Sequence, residues 1–475
     1  MALTKVHNRM TEGSMVNVFD YMTAAQIADV KANTAIEDVT TAIQNAINSN
    51  DTVYFPAGTY KITSTITVDN TSIIGDNSHN QSIIKYDVTD GSAAIDINGY
   101  YNNGYYTTVK NMGFKGPYTS AVPVDNKAVF LYNNSAEDID AYFDNCFFNG
   151  FKKSIHIKGR GLTVTDSVFV NTLDAIYLDR VNPVNEGSEG DQKEYSGARV
   201  YQIYNCRFHS MGQGSCVSNV EATNLVADQL RGVHFVGNYI DTSARIMNGP
   251  CRESVFTGNI HIYADPNQTL FYNNADDYDY VTISGNTFAT YDQSGPDRHN
   301  KQILYCGGNV DTCVFSNNSV WNVDEDVIEV AGNASRFVVT SNNFTNVILD
   351  ANTTAAHRVL KIDGDATRIQ FNNNTIEVNG VPTYADYVVY IGGTASDVDA
   401  SNNAHNESAL SLSNKGAYLN AQRKINYGAA APTSGDWVQG DIIYNTGVSA
   451  GGTVGWVCTT SGTPGTWKTF GAVSA

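Results

Sequence analysis

Four carboxylates stand at the edges of short apolar runs. Asp174 and Asp179 bracket "DAIYLD", Glu221 follows "SCVSN", and Glu253 follows "RIMN". A pair of such groups, one protonated and one ionised, is the apparatus of glycosidic hydrolysis. About 5 Å between them suits retention of configuration and roughly 6.5–9.5 Å suits inversion. Arg180 and Arg245 are placed to hold an acidic group of a substrate, and His156, Lys158 and Tyr177 fall at outward positions of neighbouring runs. Eliminative cleavage is the rival chemistry. It takes a base to remove the proton beside a uronic carboxylate and a cation to stabilise the anion that forms. His156 with Lys158, His234 with Arg231, and His299 with Arg298 in "DRHNK" fit those roles. The acids of "NNADDYDY" lack EF-hand spacing, and neither a metal nor another cofactor is expected. Against each single residue stands the plainer reading of a solvated surface charge, because 48 acids compete.

Such groups need a scaffold that repeats. Segments such as "VTISGNTFAT", "VFTGNIHI", "CVFSNNSV" and "IQFNNNTI" place an Asn between two short apolar runs. The series Asn238, Asn259, Asn286, Asn318, Asn342, Asn374 and Asn402 has intervals of 21, 27, 32, 24, 32 and 28 residues. Met112, Cys146, Ser167 and Cys206 hold the same slot upstream, and an apolar residue usually follows two places later. His261 bends that rule. A period of this size with variable insertions signals a solenoid. Its strands, such as "VTIS" and "FVVT", are too short and too β-branched for helices. Each rung therefore needs three strands and three turns, with rungs about 4.8 Å apart. Asn tolerates left-handed backbone and its amide can bond to the Asn above and below. The Asn slot is thus read as the one tight corner, and the long insertions gather at the other two. Strands "SIHIK", "AIYLD", "SCVSN", "RIMN", "TLFYN", "ILYC", "VIEV" and "VLKID" precede the variable corner. Alternation sends His156, Lys158, Tyr177 and Asp179 outward, then Ser218, Glu329 and Lys361. Asp179 and Glu329 are several rungs apart, so the expected pair comes from Asp174, Asp179, Glu221 and Glu253. The 28 Tyr suit a groove that stacks on sugar rings.

The chain of 475 residues is 42% hydrophobic and only 16% charged, a β-rich profile, and its formal net charge is -19. That charge argues against nucleic acid and anionic membrane as partners. No run of about 18 apolar residues exists, so no membrane insertion is expected. The opening "MALTKVHNRMTEG" has no apolar stretch of a secretory signal. Seven Cys without metal or disulfide spacing read as buried free thiols. Residues 1–50 form an N-terminal segment with a capping helix, for which Thr34 and Glu37 offer a capping box and Ile36, Val39, Ile43 and Ile47 an apolar face. The coil runs over 51–405, a linker over 406–430, and a small β module over 431–475, for trimerisation or carbohydrate binding.

The stretch "VNVFDYMT…TTAIQNAINSNDTVYFPAGTYKIT…TSIIGD" resembles the opening segment of phage tailspikes and capsular polysaccharide depolymerases with a pectate-lyase-like, right-handed parallel β-helix. "TVYFPAGTYKI" is its most specific part. The closing "GDIIYNT…GWVCTTSGTPGTWKTFG" is similar to a module at the ends of phage tail proteins. The resemblance implies an all-β homotrimer in the virion tail. It would bind, and usually degrade, a bacterial surface polysaccharide (capsule or O-antigen) and contact other phage tail proteins. The sequence departs from the family by opening its helix with "NTAIEDVT" in place of Asp-Gly and paired Asp, and by lacking a virion-attachment domain ahead of the coil.

Overall fold

A computed structural model describes residues 15–475 except 78–81, 99–106, 120–124, 133–137, 180–200, 212–213, 220–231, 242–243, 263–267, 275, 290–299, 348–356, 379–387, 401, 406–416, 419–424 and 436. Its described strands stack in parallel into sheets of 18, 13 and 13 strands, followed by a separate sheet of four. One rung runs Tyr201–Tyr204, Arg207–His209 and Ser215–Ser218, and the next runs Val233–Val236, Tyr239–Asp241 and Arg245–Asn248. Each strand pairs in register with its counterpart one rung away. The chain is therefore a parallel β-helix, as its repeat predicts.

The tight corner between first and second sheets uses two residues with different tasks. The first takes left-handed backbone: Gly258 (φ 64), Gly285 (φ 64), Asn317 (φ 55), Ser341 (φ 57) and Asn373 (φ 56). The second is the buried Asn expected from the repeat, and its own backbone is not left-handed. Each Asn Nδ2 donates to the Oδ1 of the Asn one rung on, from Asn238 to Asn259 (3.1 Å), then to Asn286 (2.9 Å), Asn318 (3.0 Å), Asn342 (3.1 Å) and Asn374 (3.0 Å). The same Oδ1 also accepts the backbone N–H of the preceding Asn, and the second Nδ2 hydrogen goes to a strand carbonyl such as Phe235 or Phe256. All four hydrogen-bonding valences of a buried amide are used. The series ends one place later than the repeat suggests. Asn403 carries the ladder, while Asn402 (φ 56) is the left-handed residue before it. Upstream, Ser167 Oγ and Asn238 Oδ1 accept the N–H groups of Cys146 and Cys206, so the slot persists with other residue types.

Two positions beyond the slot, side chains stack inside the coil. Phe114, Phe148, Phe169 and Phe208 lie 5.2, 4.9 and 5.1 Å apart, nearly coplanar. His261 keeps the inward position between Ile240 and Phe288 and is fully buried. From Cys251 onward the first sheet divides into two strips, because a second left-handed column appears: Glu253, Tyr280, Thr312, Arg336, Arg368 and Asp397. The sequence gives no warning of this column, since its residue types have nothing in common. All seven Cys are buried and unpaired.

The N-terminal helix expected from residue 34 begins later. Helices span Ala24–Ala32 and Thr40–Asn48. Asp29 accepts from Thr34 Oγ1 and from the N–H groups of Ile36 and Glu37, which folds 34–37 into a turn instead. The capping box is at Thr23 and Gln26, not Thr34 and Glu37. Val39, Ile43 and Ile47 do face the core, but Ile36 is 68% exposed. The four-stranded sheet begins at Ile425–Gly428, inside the span read as linker, and encloses Trp437, Ile443 and Cys458.

Candidate active site on the third sheet

The third sheet receives the chain after one variable corner and releases it before the other. Its register stacks one outward column: Asp96, Phe130, His156, Tyr177, Ser218, Asn248, Tyr272, Tyr305, Glu329, Lys361 and Tyr390. The positions inferred from alternation for His156, Tyr177, Ser218, Glu329 and Lys361 all fall in it.

In the N-terminal half of the column, His156 is wedged between Phe130 and Tyr177, with ring centroids 4.9 Å away on both sides. Its Nε2 is 3.2 Å from Asp179 Oδ2. Burial holds the imidazole below its ordinary pKa against the pull of Asp179, and the charges of Lys153 and Lys127 push it down further. His156 is thereby held toward its neutral form. Tyr177 is buried, with the Lys153 ammonium 3.9 Å from its ring centroid, so its face is not open to a sugar. Lys158 lies beside Tyr132, 5.6 Å above that ring. Arg245 stands over Tyr272 at 4.5 Å and donates to Asn248 Oδ1.

The four carboxylates singled out by sequence are not gathered into a pair among the described residues. Asp174 and Asp179 occupy opposite ends of one strand. Five residues of strand rise put them about 16 Å apart, beyond the reach of either hydrolytic geometry. Glu253 sits at a left-handed corner of the first sheet, on a different face. Its N–H bonds to Asp279 O, which fixes that corner between two strips. Glu221, Arg180, Arg231, Arg298 and His299 lie outside the described residues. His234 is on the first sheet, away from this column. Asp276 and Asp277 of "NNADDYDY" serve a turn: Asp277 Oδ1 accepts from Asn309 N (2.6 Å). Among the described residues no cluster of three or more His, Cys, Asp or Glu could hold a metal ion.

The C-terminal half of the column gathers three carboxylates around Lys361, Asp363 Oδ2 at 3.2 Å and two from the preceding rung. Lys361 Nζ lies 2.6 Å from Glu329 Oε1 and 3.9 Å from Asp326 Oδ2. The two carboxylate oxygens are thus no farther apart than those distances laid end to end. That bound reaches only the lower limit of the inverting range, roughly 6.5 Å. Gln302 Nε2 donates to Glu329 Oε2 (2.6 Å), so both Glu329 oxygens are held. Asp326 is 6% exposed, and its Oδ1 accepts from Arg358 N. Burial, reinforced by the negative charge of Glu329, pushes the Asp326 carboxyl up to about 7, although Lys361 and Arg358 oppose the shift. One carboxyl is thus poised to carry a proton near neutrality beside another that is ion-paired. Tyr272 and Tyr305 stack at 5.5 Å immediately below, and Tyr390 follows Lys361 above. The signal in the sequence was "DEDVIEV" one rung before "RVLKID". Asp326 escaped notice because it precedes its strand by two residues and reads as part of the turn.

Among known proteins, no curated sequence matches the chain. Solved structures similar in outline include the following three. The A-module of the mannuronan C-5 epimerase AlgE4 from Azotobacter vinelandii is 13% identical, covering 85% of this chain and 99% of that one, with a TM-score of 0.43. The Dettilon tailspike protein is 13% identical over 82% and 68% of the two chains, TM-score 0.38. PfbA, a surface adhesin of Streptococcus pneumoniae, is 13% identical over 96% and 98%, TM-score 0.42. No chemistry follows from likenesses this distant. Residues 30–112, which hold the second helix and the first rungs of the coil, match the family described as Rhamnogalacturonase A/epimerase, pectate lyase-like.

Proposed function

We propose that the protein is a phage tailspike that binds a bacterial surface polysaccharide along the third sheet and hydrolyses it, with Asp326 as general acid and Glu329 as nucleophile. The observation that carries this reading is the sharing of Lys361 by one carboxyl raised to about 7 and one ion-paired carboxylate. Environments that push two carboxyl groups apart assign their roles. Asp326 gives its proton to the glycosidic oxygen as the bond to the anomeric carbon breaks, and a Glu329 oxygen bonds to that carbon. Water, deprotonated by the now ionised Asp326, then releases the sugar with its configuration retained. Tyr272, Tyr305 and Tyr390 line the groove, with ring edges and hydroxyls to meet sugar hydroxyls. The pectate-lyase-like match of the opening rungs and the resemblance to tailspikes support the substrate class. A homotrimer in the virion tail belongs to the same reading, with residues 431–475 as its C-terminal module. The lyase alternative is weaker: burial favours neutral His156, but Phe130 and Tyr177 enclose its ring.

The test is incubation with purified host polysaccharide. Expected are new reducing ends without the ultraviolet absorbance of an unsaturated uronide, and a first product that keeps its anomeric configuration. Appearance of that absorbance would replace hydrolysis with elimination, and binding without shortening would leave a passive receptor spike.

A further inference from the structure

Glu329 is held from both directions along the coil, by donors of different kinds. Lys361, one rung toward the C-terminus, brings an ammonium to Oε1 at 2.6 Å. Gln302 belongs to the rung before, in the strand whose Tyr305 pairs in register with Glu329. It brings a neutral amide to Oε2, also at 2.6 Å. A further contact lies behind that amide. Thr269 pairs in register with Gln302 from one rung earlier, and its Oγ1 donates to Gln302 Oε1 at 3.2 Å. Gln302 is 3% exposed and Thr269 4%, so the chain of contacts is dry. Polar groups taken this far out of water must be matched donor to acceptor.

The directions follow from the chemistry of the groups. An ionised carboxylate only accepts, so the amide turns its NH₂ to Glu329 and its oxygen away. That buried oxygen then needs a donor of its own, and the Thr269 hydroxyl supplies it. One donor on each oxygen fixes the plane of the Glu329 carboxylate, and each oxygen keeps a lone pair for a reacting carbon. A nucleophile aimed before substrate arrives has no rotational freedom left to lose in the transition state.

We propose that Gln302 and Thr269 are positioning residues for glycosidic cleavage: Gln302 fixes the plane of the Glu329 carboxylate and favours its ionised form, and Thr269 keeps the Gln302 amide turned toward it. This rests on the reading of Glu329 as nucleophile. Both residues are buried and act through Glu329, not on the sugar.

The experiment is steady-state hydrolysis of purified host polysaccharide by the full chain, read as new reducing ends across a range of pH. Gln302→Met is expected to lower kcat about 10- to 100-fold with little change in KM. The acid limb of its pH profile should move to higher pH, because the ionised carboxylate has lost a donor. In Gln302→Glu the introduced carboxyl can donate only while protonated, so activity should shift to the acid side. Thr269→Val should lower kcat several-fold, and Thr269→Ser should restore it. A role in folding alone would lower the melting temperature while kcat per folded molecule and the pH profile stayed as in the wild type, and that result would overturn the proposal. Wild-type kcat in Gln302→Met beside an inactive Glu329→Gln would remove the positioning role and keep the nucleophile. Full activity in Glu329→Gln, or no shortening by the wild type, would remove both.

Discussion

Two columns run side by side along this coil from Asn238 onward at one spacing, and they behave differently. The corner column repeats one residue, and every Asn satisfies its neighbours. The third-sheet column changes at each rung, from His156 to Tyr177 to Ser218 and on to Glu329 and Lys361. Stacking identical amides closes every valence and leaves nothing for a ligand. Stacking unlike groups leaves charges whose ionisation depends on their neighbours, as at Asp326. Repetition marks the frame, and loss of repetition marks the chemistry.

The largest effect should come from the unlike column. Glu329→Gln and Asp326→Asn are each expected to lower hydrolysis roughly 10²–10⁴-fold with the coil intact by circular dichroism. Full activity in either would end the assignment. The identical column should answer in stability instead. Asn286→Ala strands the N–H and an amide hydrogen of Asn259 and removes the donor to Phe256 O and Asn318 Oδ1, a loss of about 3 kcal/mol in unfolding free energy, with turnover per folded molecule unchanged. A third measurement is the pH profile. Activity that needs protonated Asp326 should fall as pH rises through about 7. Lys361→Met removes a charge that favours the ionised form, so the falling limb should move to higher pH if hydrolysis survives. Stability should follow the same group. Because the folded pKa of Asp326 is raised, its contribution is complete below the ordinary carboxylate range and is lost as pH rises toward about 7. Urea titrations at several pH values should show that slope, and Asp326→Asn should remove it. The smallest effect is at Ser341, held at φ 57. Gly there should stabilise the chain by up to about 1 kcal/mol, seen as a slightly higher melting temperature.

The frame was legible because its chemistry is local. Asn286 or Asn318 between two apolar runs shows its role in a few letters, and only the partition of duties between that Asn and its left-handed neighbour was hidden. The site was legible in direction but not in place. Alternation set Glu329 and Lys361 outward, yet what ties Asp326 to them is the ammonium of Lys361 reaching across from the next rung. The earlier carboxylates, apart from Glu221 outside the described residues, stand apart for the converse reason. Asp174 and Asp179 are close in sequence, but an extended strand separates them. Glu253 was assigned to the right rung and the wrong face, because the second left-handed column has no shared residue type.

The amide column also has a direction. Every Asn from 238 to 374 gives one amide hydrogen and its backbone N–H to the C-terminal neighbour's Oδ1, and the other amide hydrogen to a carbonyl of the rung before. A nascent coil leaving the ribosome would therefore always present donors at its growing tip, and the next rung to emerge would bring the oxygen that receives them. The orientation of a single side chain thus leaves the growing tip ready for the rung that follows it.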